Sequence, residues 1–149
     1  MKNAERGFTL IELIITIGIM AIIVGITVVG FQNFANYKRY DAAVATLKTS
    51  LFDARTAARS SVQGEPHGVK IGTNSITTFV GNTYSAADPD NVTITFSEIT
   101  FTDSLTGGTD EITFTELKGL PSATGTIEVY GTFHNATTTI TITSAGVIQ

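Results

Sequence analysis

At 149 residues, with a formal net charge of −4 and no cysteine, the chain has room for one small domain beside any anchor. The missing thiols exclude disulfide stapling and cysteine nucleophiles. From Val62 onward two basic residues face nine acidic ones, a balance of −7, so that region repels phosphate backbones.

The amino-terminal seven residues carry Lys2 and Arg6 against Glu5. That positive excess predicts a cytoplasmic amino terminus. The stretch from Phe8 to Phe31 is 24 residues long and has no proline and no charge except Glu12. At ~1.5 Å per helical residue it is long enough for a hydrocarbon layer of ~30 Å, which predicts a membrane helix. Glu12 inside that helix carries an insertion penalty of roughly 2.5–3.5 kcal/mol at mid-bilayer and less near an end, so it calls for a partner, and an amine is the complementary group. A secretory signal places its small residues after the apolar core, whereas Gly7 comes before it. A cut at Gly7 would leave the hydrophobic helix on the product.

The run Arg6-Gly7-Phe8-Thr9-Leu10-Ile11-Glu12-Leu13 resembles the class III signal of type IV prepilins and pseudopilins. The resemblance implies that a prepilin peptidase cuts between Gly7 and Phe8 and methylates the new Phe8 amine. It further implies that Glu12 neutralises the terminal amine of a neighbouring subunit during filament assembly. A carboxylate and an ammonium buried together attract strongly, while either alone is penalised, so such a pair would favour one axial register. Removal of residues 1–7 leaves 7 basic and 12 acidic residues, a net −5. The competing reading is a plain anchor whose Glu12 is hydrated near the interface. Many pilins have a proline within this helix; here Gly18, Gly25 and Gly30 could supply flexibility or close helix contacts.

Beyond the anchor, Phe34, Tyr37, Val44, Leu47, Leu51, Ala54 and Ala58 recur at helical spacing and predict an apolar stripe that packs across a sheet. With no proline between Phe8 and Ser61, one helix of up to 54 residues is expected, ended by Ser60-Ser61 and Gly64-Glu65-Pro66. Strands are expected over Val69–Ile71, Ile76–Val80, Val92–Phe101, Glu111–Leu117, Thr126–Tyr130 and Thr137–Thr143, with Gly, Asp and Asn turns between them. The expected fold class is α+β, with residues 1–7 a cleaved leader, 8–31 the membrane or filament-core helix, 32–61 its amphipathic continuation and 62–149 a β-rich globular domain.

The body, in Leu51-Phe52-Asp53-Ala54-Arg55-Thr56-Ala57-Ala58-Arg59, Gly68-Val69-Lys70-Ile71, Gly125-Thr126-Ile127, Ile140-Thr141-Ile142 and Gly146-Val147-Ile148, is similar to GspH/FimT-type minor pseudopilins and minor pilins. The resemblance implies a pilin-like fold, long helix on antiparallel sheet. It also implies prepilin peptidase, other filament subunits and an inner-membrane assembly platform as partners, with membrane lipid around the helix before assembly. The domain would then lie on the far side of the inner membrane.

Catalytic chemistry finds little support. His67 and His134 lack Cys, Asp or Glu at metal-ligand spacing and are expected in solvated loops; no nucleophile elbow or phosphate loop is present. No catalytic residue, metal or cofactor is expected. Asp88-Pro89-Asp90-Asn91 and Asp103 offer calcium-type oxygens but lack an EF-hand pattern, and the tetrapeptide reads as a turn. Asn91-Val92-Thr93 and Asn135-Ala136-Thr137 match the glycosylation sequon, but the leader resemblance implies a prokaryotic chain, in which the sequon alone predicts little. Some FimT-like proteins bind DNA through basic residues of the domain. Here Lys48, Arg55 and Arg59 on a net acidic body read as a solvated helix face, so DNA is not expected. The sequence supports a minor subunit of a type II secretion pseudopilus or a type IV pilus, with a DNA- or surface-ligand-binding pilin as the alternative.

Overall fold

The computed structural model describes residues 7–133 and 135–149, with residues 27–30 described by backbone alone. Lys2, Glu5, Arg6 and His134 therefore lie outside the described residues. Helix α1 covers Leu10–Arg59, and seven strands follow: β1 (His67–Ile71), β2 (Ser75–Val80), β3 (Val92–Thr95), β4 (Ile99–Leu105), β5 (Glu111–Phe114), β6 (Gly125–Gly131) and β7 (Ala136–Ile142). The chain divides into two compact units, one ending at Lys38 and one spanning Arg39–Gln149.

In the first unit the apolar side chains of α1 are exposed, including Leu10, Leu13, Ile17 and Ile22. The most apolar 18-residue window of α1 has a mean hydropathy of 2.7, enough in length and composition to cross a membrane.

In the second unit Tyr40, Ala43, Leu47, Leu51, Ala54 and Ala58 form the buried stripe of α1. The predicted stripe had the right period but the wrong start, since Phe34 and Tyr37 are exposed and Val44 is half-buried. The stripe packs against a four-stranded sheet ordered β3-β2-β1-β5 and a three-stranded sheet ordered β4-β6-β7, all antiparallel. Val69, Ile76, Ile112 and Phe114 come from the first sheet, Ile127, Val129 and Ile140 from the second, and all join one core with the helix. Alternation supplies this inward set, because period-2 side chains put every second residue on one face.

The expected strand Val92–Phe101 is in fact two strands in different sheets. The chain turns at Glu98, whose φ is 66°, and the Glu98 carbonyl accepts hydrogen bonds from Thr132 N at 3.2 Å and Thr132 Oγ1 at 3.0 Å. The predicted strand Glu111–Leu117 stops at Phe114, because Leu117 at φ 62° enters a turn that donates its N–H to the Ala58 carbonyl at the helix end. A second apolar contact lies on the other face of the larger sheet, where the ring of Phe79 covers Gly68 and meets Tyr84 edge-on at 5.8 Å. No side chain would fit at Gly68 without displacing that ring.

Candidate processing and assembly site

Gly7, Phe8 and Thr9 precede the helix and are non-helical, with Gly7 exposed and Phe8 85% exposed. Among the described residues nothing lies within 4 Å of the position a Gly7 Cβ would take, so none of them obstructs the Gly7-Phe8 peptide. The helix begins because Thr9 caps it. Glu12 N donates to Thr9 Oγ1 at 3.3 Å, and Leu13 N donates to Thr9 O at 3.2 Å as the first helical bond. Thr9 and Glu12 are thus the Ncap and N3 residues of a Thr-x-x-Glu sequence, the spacing of a capping box.

This cap was missed in the sequence reading, although its spacing was visible there. It accounts for three features together: a Gly7-Phe8 junction outside the helix, a helix that starts at Leu10, and Glu12 in the first turn, where the helix dipole favours a carboxylate. Phe8 and Glu12 consequently sit just outside and just inside the helix start. Gly18 and Gly25 have open space around them, and Gly30 is helical.

The other candidates are dispersed. His67 is not in a loop: it opens β1, with Nε2 3.0 Å from the Val62 carbonyl. Asp88 accepts from Asp90 N at 2.9 Å and Asn91 Nδ2 donates to Ser85 O at 2.7 Å, so this segment is a self-bonded turn, whereas Asp103 lies on β4. Among the described residues no group of three or more His, Cys, Asp or Glu is placed to hold a metal.

Arg55 corrects the reading of a solvated basic face. Its Nε donates to Gly119 O at 3.1 Å and its Nη2 to Ala145 O at 2.9 Å, tying α1 to two turns. Gly146, at φ 73°, is fixed by the same clamp, since a Cβ there would stand 2.8 Å from Arg55 Nε. Arg59 and Lys48 are exposed.

A family model described as the prokaryotic N-terminal methylation motif matches residues 2–28. Among solved structures, the chain is similar to the type IV minor pilin FimU of Pseudomonas aeruginosa strain PAO1. The identity is 19% and the TM-score 0.60, covering 78% of this chain and 90% of that one. The chain carries a class III, methylation-type leader and has the type IV pilin fold.

Proposed function

We propose that the chain is a minor pilin or pseudopilin that prepilin peptidase cuts between Gly7 and Phe8 and methylates at Phe8. The mature helix first resides in the inner membrane, with the domain on the far side, and then moves into the core of a filament. The observation that carries this reading is the capped junction itself: an open Gly7-Phe8 peptide, Thr9 at the Ncap and Glu12 in the first turn, within the matched methylation motif. Assembly exchanges lipid for protein around the exposed apolar residues of α1, and Glu12 pairs with the amine of a neighbouring subunit. The work is assembly on a platform with other subunits, not catalysis.

A type II secretion pseudopilus and a type IV pilus both use such a subunit, and the GspH/FimT-like body fits either. DNA is disfavoured as a ligand: beyond the −7 balance from Val62 onward, Arg55 spends its donors on backbone carbonyls. The decisive test is expression of the full chain with and without a prepilin peptidase, followed by amino-terminal sequencing and mass measurement. Peptidase-dependent production of methylated Phe8 is expected. An intact leader in both conditions, with the peptidase active on another substrate, would reduce the chain to an ordinary anchored domain.

A further inference from the structure

Strand β3 is the free edge of the four-stranded sheet. Its partner side is fixed by Phe96 N, which donates to Asn74 O at 2.8 Å, and by Val92 O, which accepts from Thr78 Oγ1 at 3.4 Å. By the period-2 alternation of a strand, the main-chain groups of Thr93 and Thr95 point away from β2. The edge of β5 and the end of β7 are instead covered by the chain itself. On β5, Phe114 bridges Pro121 and Thr113 O accepts from Ser122 N; at the end of β7, Thr141 and Gln149 exchange two bonds of 3.1 Å.

The open edge is also apolar. Val92 and Ile94 are 60% and 41% exposed, and Val92-Thr93-Ile94-Thr95-Phe96 contains neither charge nor proline, the usual protections of an edge strand. Beside it run two grooves of about 330 and 370 Å3. The first is bounded by Ile94 and by Ser50, Asp53 and Ala57 of α1; the second by Thr95 and Phe96 with Arg39 and Ala42. These helix positions share one stripe. Arg39 and Asp53 are 14 positions apart, about 21 Å along a helix, the length of about six extended residues.

We propose that β3 and these grooves receive an extended segment of another protein by strand addition. The segment pairs with Thr93 and Thr95, places alternate apolar side chains beside Ile94, and carries an acidic residue near Arg39 and a basic one near Asp53. A second copy of this chain is the poorer occupant. Pairing of two β3 strands would bring together two regions that each carry a balance of −7 from Val62 onward, so like charge opposes it. This inference goes beyond the filament-subunit reading and does not depend on processing.

The test uses the full chain in detergent micelles and two labelled, end-blocked peptides, Glu-Thr-Val-Thr-Val-Thr-Lys and its charge-exchanged form Lys-Thr-Val-Thr-Val-Thr-Glu, in which the two charges and the valines share one face of the strand. Antiparallel addition puts the first peptide's acid at Arg39 and its lysine at Asp53, while the second peptide meets two repulsions. Two exposed ion pairs turned into repulsions are worth about tenfold in affinity, so fluorescence anisotropy should show the first peptide binding about tenfold tighter. Hydrogen exchange at Thr93 and Thr95 should slow on binding, and the double variant R39E/D53K should invert the preference. Binding of neither peptide, equal or opposite preference, or β3 protection that grows with protein concentration alone would overturn the proposal.

Discussion

Arg55 and Arg59 lie one turn apart on α1 and carry the same charge, yet their surroundings give them different work. Arg55 is half-buried and donates to two carbonyls from turns far apart in the sequence. Hydrogen bonds from a charged donor are stronger than neutral ones, and truncation would leave both carbonyls short of a donor. Arg55→Ala is expected to destabilise the domain by about 2 kcal/mol, a fall of roughly 8 °C in Tm. Arg55→Lys should recover less than half of that loss, because an ammonium cannot reproduce the guanidinium fork. Arg59 is exposed and packs its stem over Gly119, so Arg59→Ala should cost no more than about 1 kcal/mol. Thermal melts of the three variants decide the matter; equal losses at the two arginines would refute the clamp. Nothing in the sequence distinguishes the pair, since the partners of Arg55 are main-chain atoms placed by long-range folding.

At the scale of elements, what the sequence revealed depended on whether the signal was local. The α1 helix and the strands were legible because periods of 3.6 and 2 are written into consecutive residues. The division into two sheets was not, because Val92 to Phe101 reads as one β-rich run and only the pairing of β3 with β2 and β4 with β6 separates it. Tyr40 was equally hidden: its hydroxyl lies 2.7 Å from Thr138 Oγ1 and 3.2 Å from Val129 O, contacts that exist only once β6 and β7 are in place. The proposed processing segment needs no long-range contact to be read, since Gly7, Phe8 and Glu12 are defined by their order along the chain, and Thr9 belongs to the same string. The break at Glu98 provides a test of the two-sheet division. Its φ of 66° disfavours β-branched side chains and suits asparagine. Glu98→Val should destabilise by about 1 kcal/mol and Glu98→Asn should be neutral or stabilising by about 0.5 kcal/mol. Denaturant midpoints that fail to separate the two variants would show that the turn is not the constraint.

For the molecule as a whole, the proposed function lets one residue separate anchoring from assembly, because the two processes would treat its charge oppositely. In lipid, the Glu12 carboxylate opposes insertion by up to roughly 3 kcal/mol, so Glu12→Ala should leave the membrane-bound amount unchanged or raise it. In a filament core, loss of the carboxylate leaves a neighbouring amine buried without its counter-charge, and breaking one side of such a pair costs about 3–5 kcal/mol. Incorporation should therefore fall by about two orders of magnitude or more. Glu12→Gln should insert as well as the alanine variant and assemble little better, since it keeps the shape and the capping position but not the charge. If the cap alone mattered, the order would differ. Thr9→Ala would then impair assembly while Glu12→Ala, which keeps the backbone N–H that Thr9 accepts, would not; the charge argument instead limits a lost cap to about 1 kcal/mol and a far smaller effect on assembly. Immunoblots of the membrane and sheared-filament fractions, taken from the same cells after confirmed processing, measure both quantities together. Parallel loss from the two fractions would mean that Glu12 acts in insertion or folding, and the pairing mechanism would have to be abandoned.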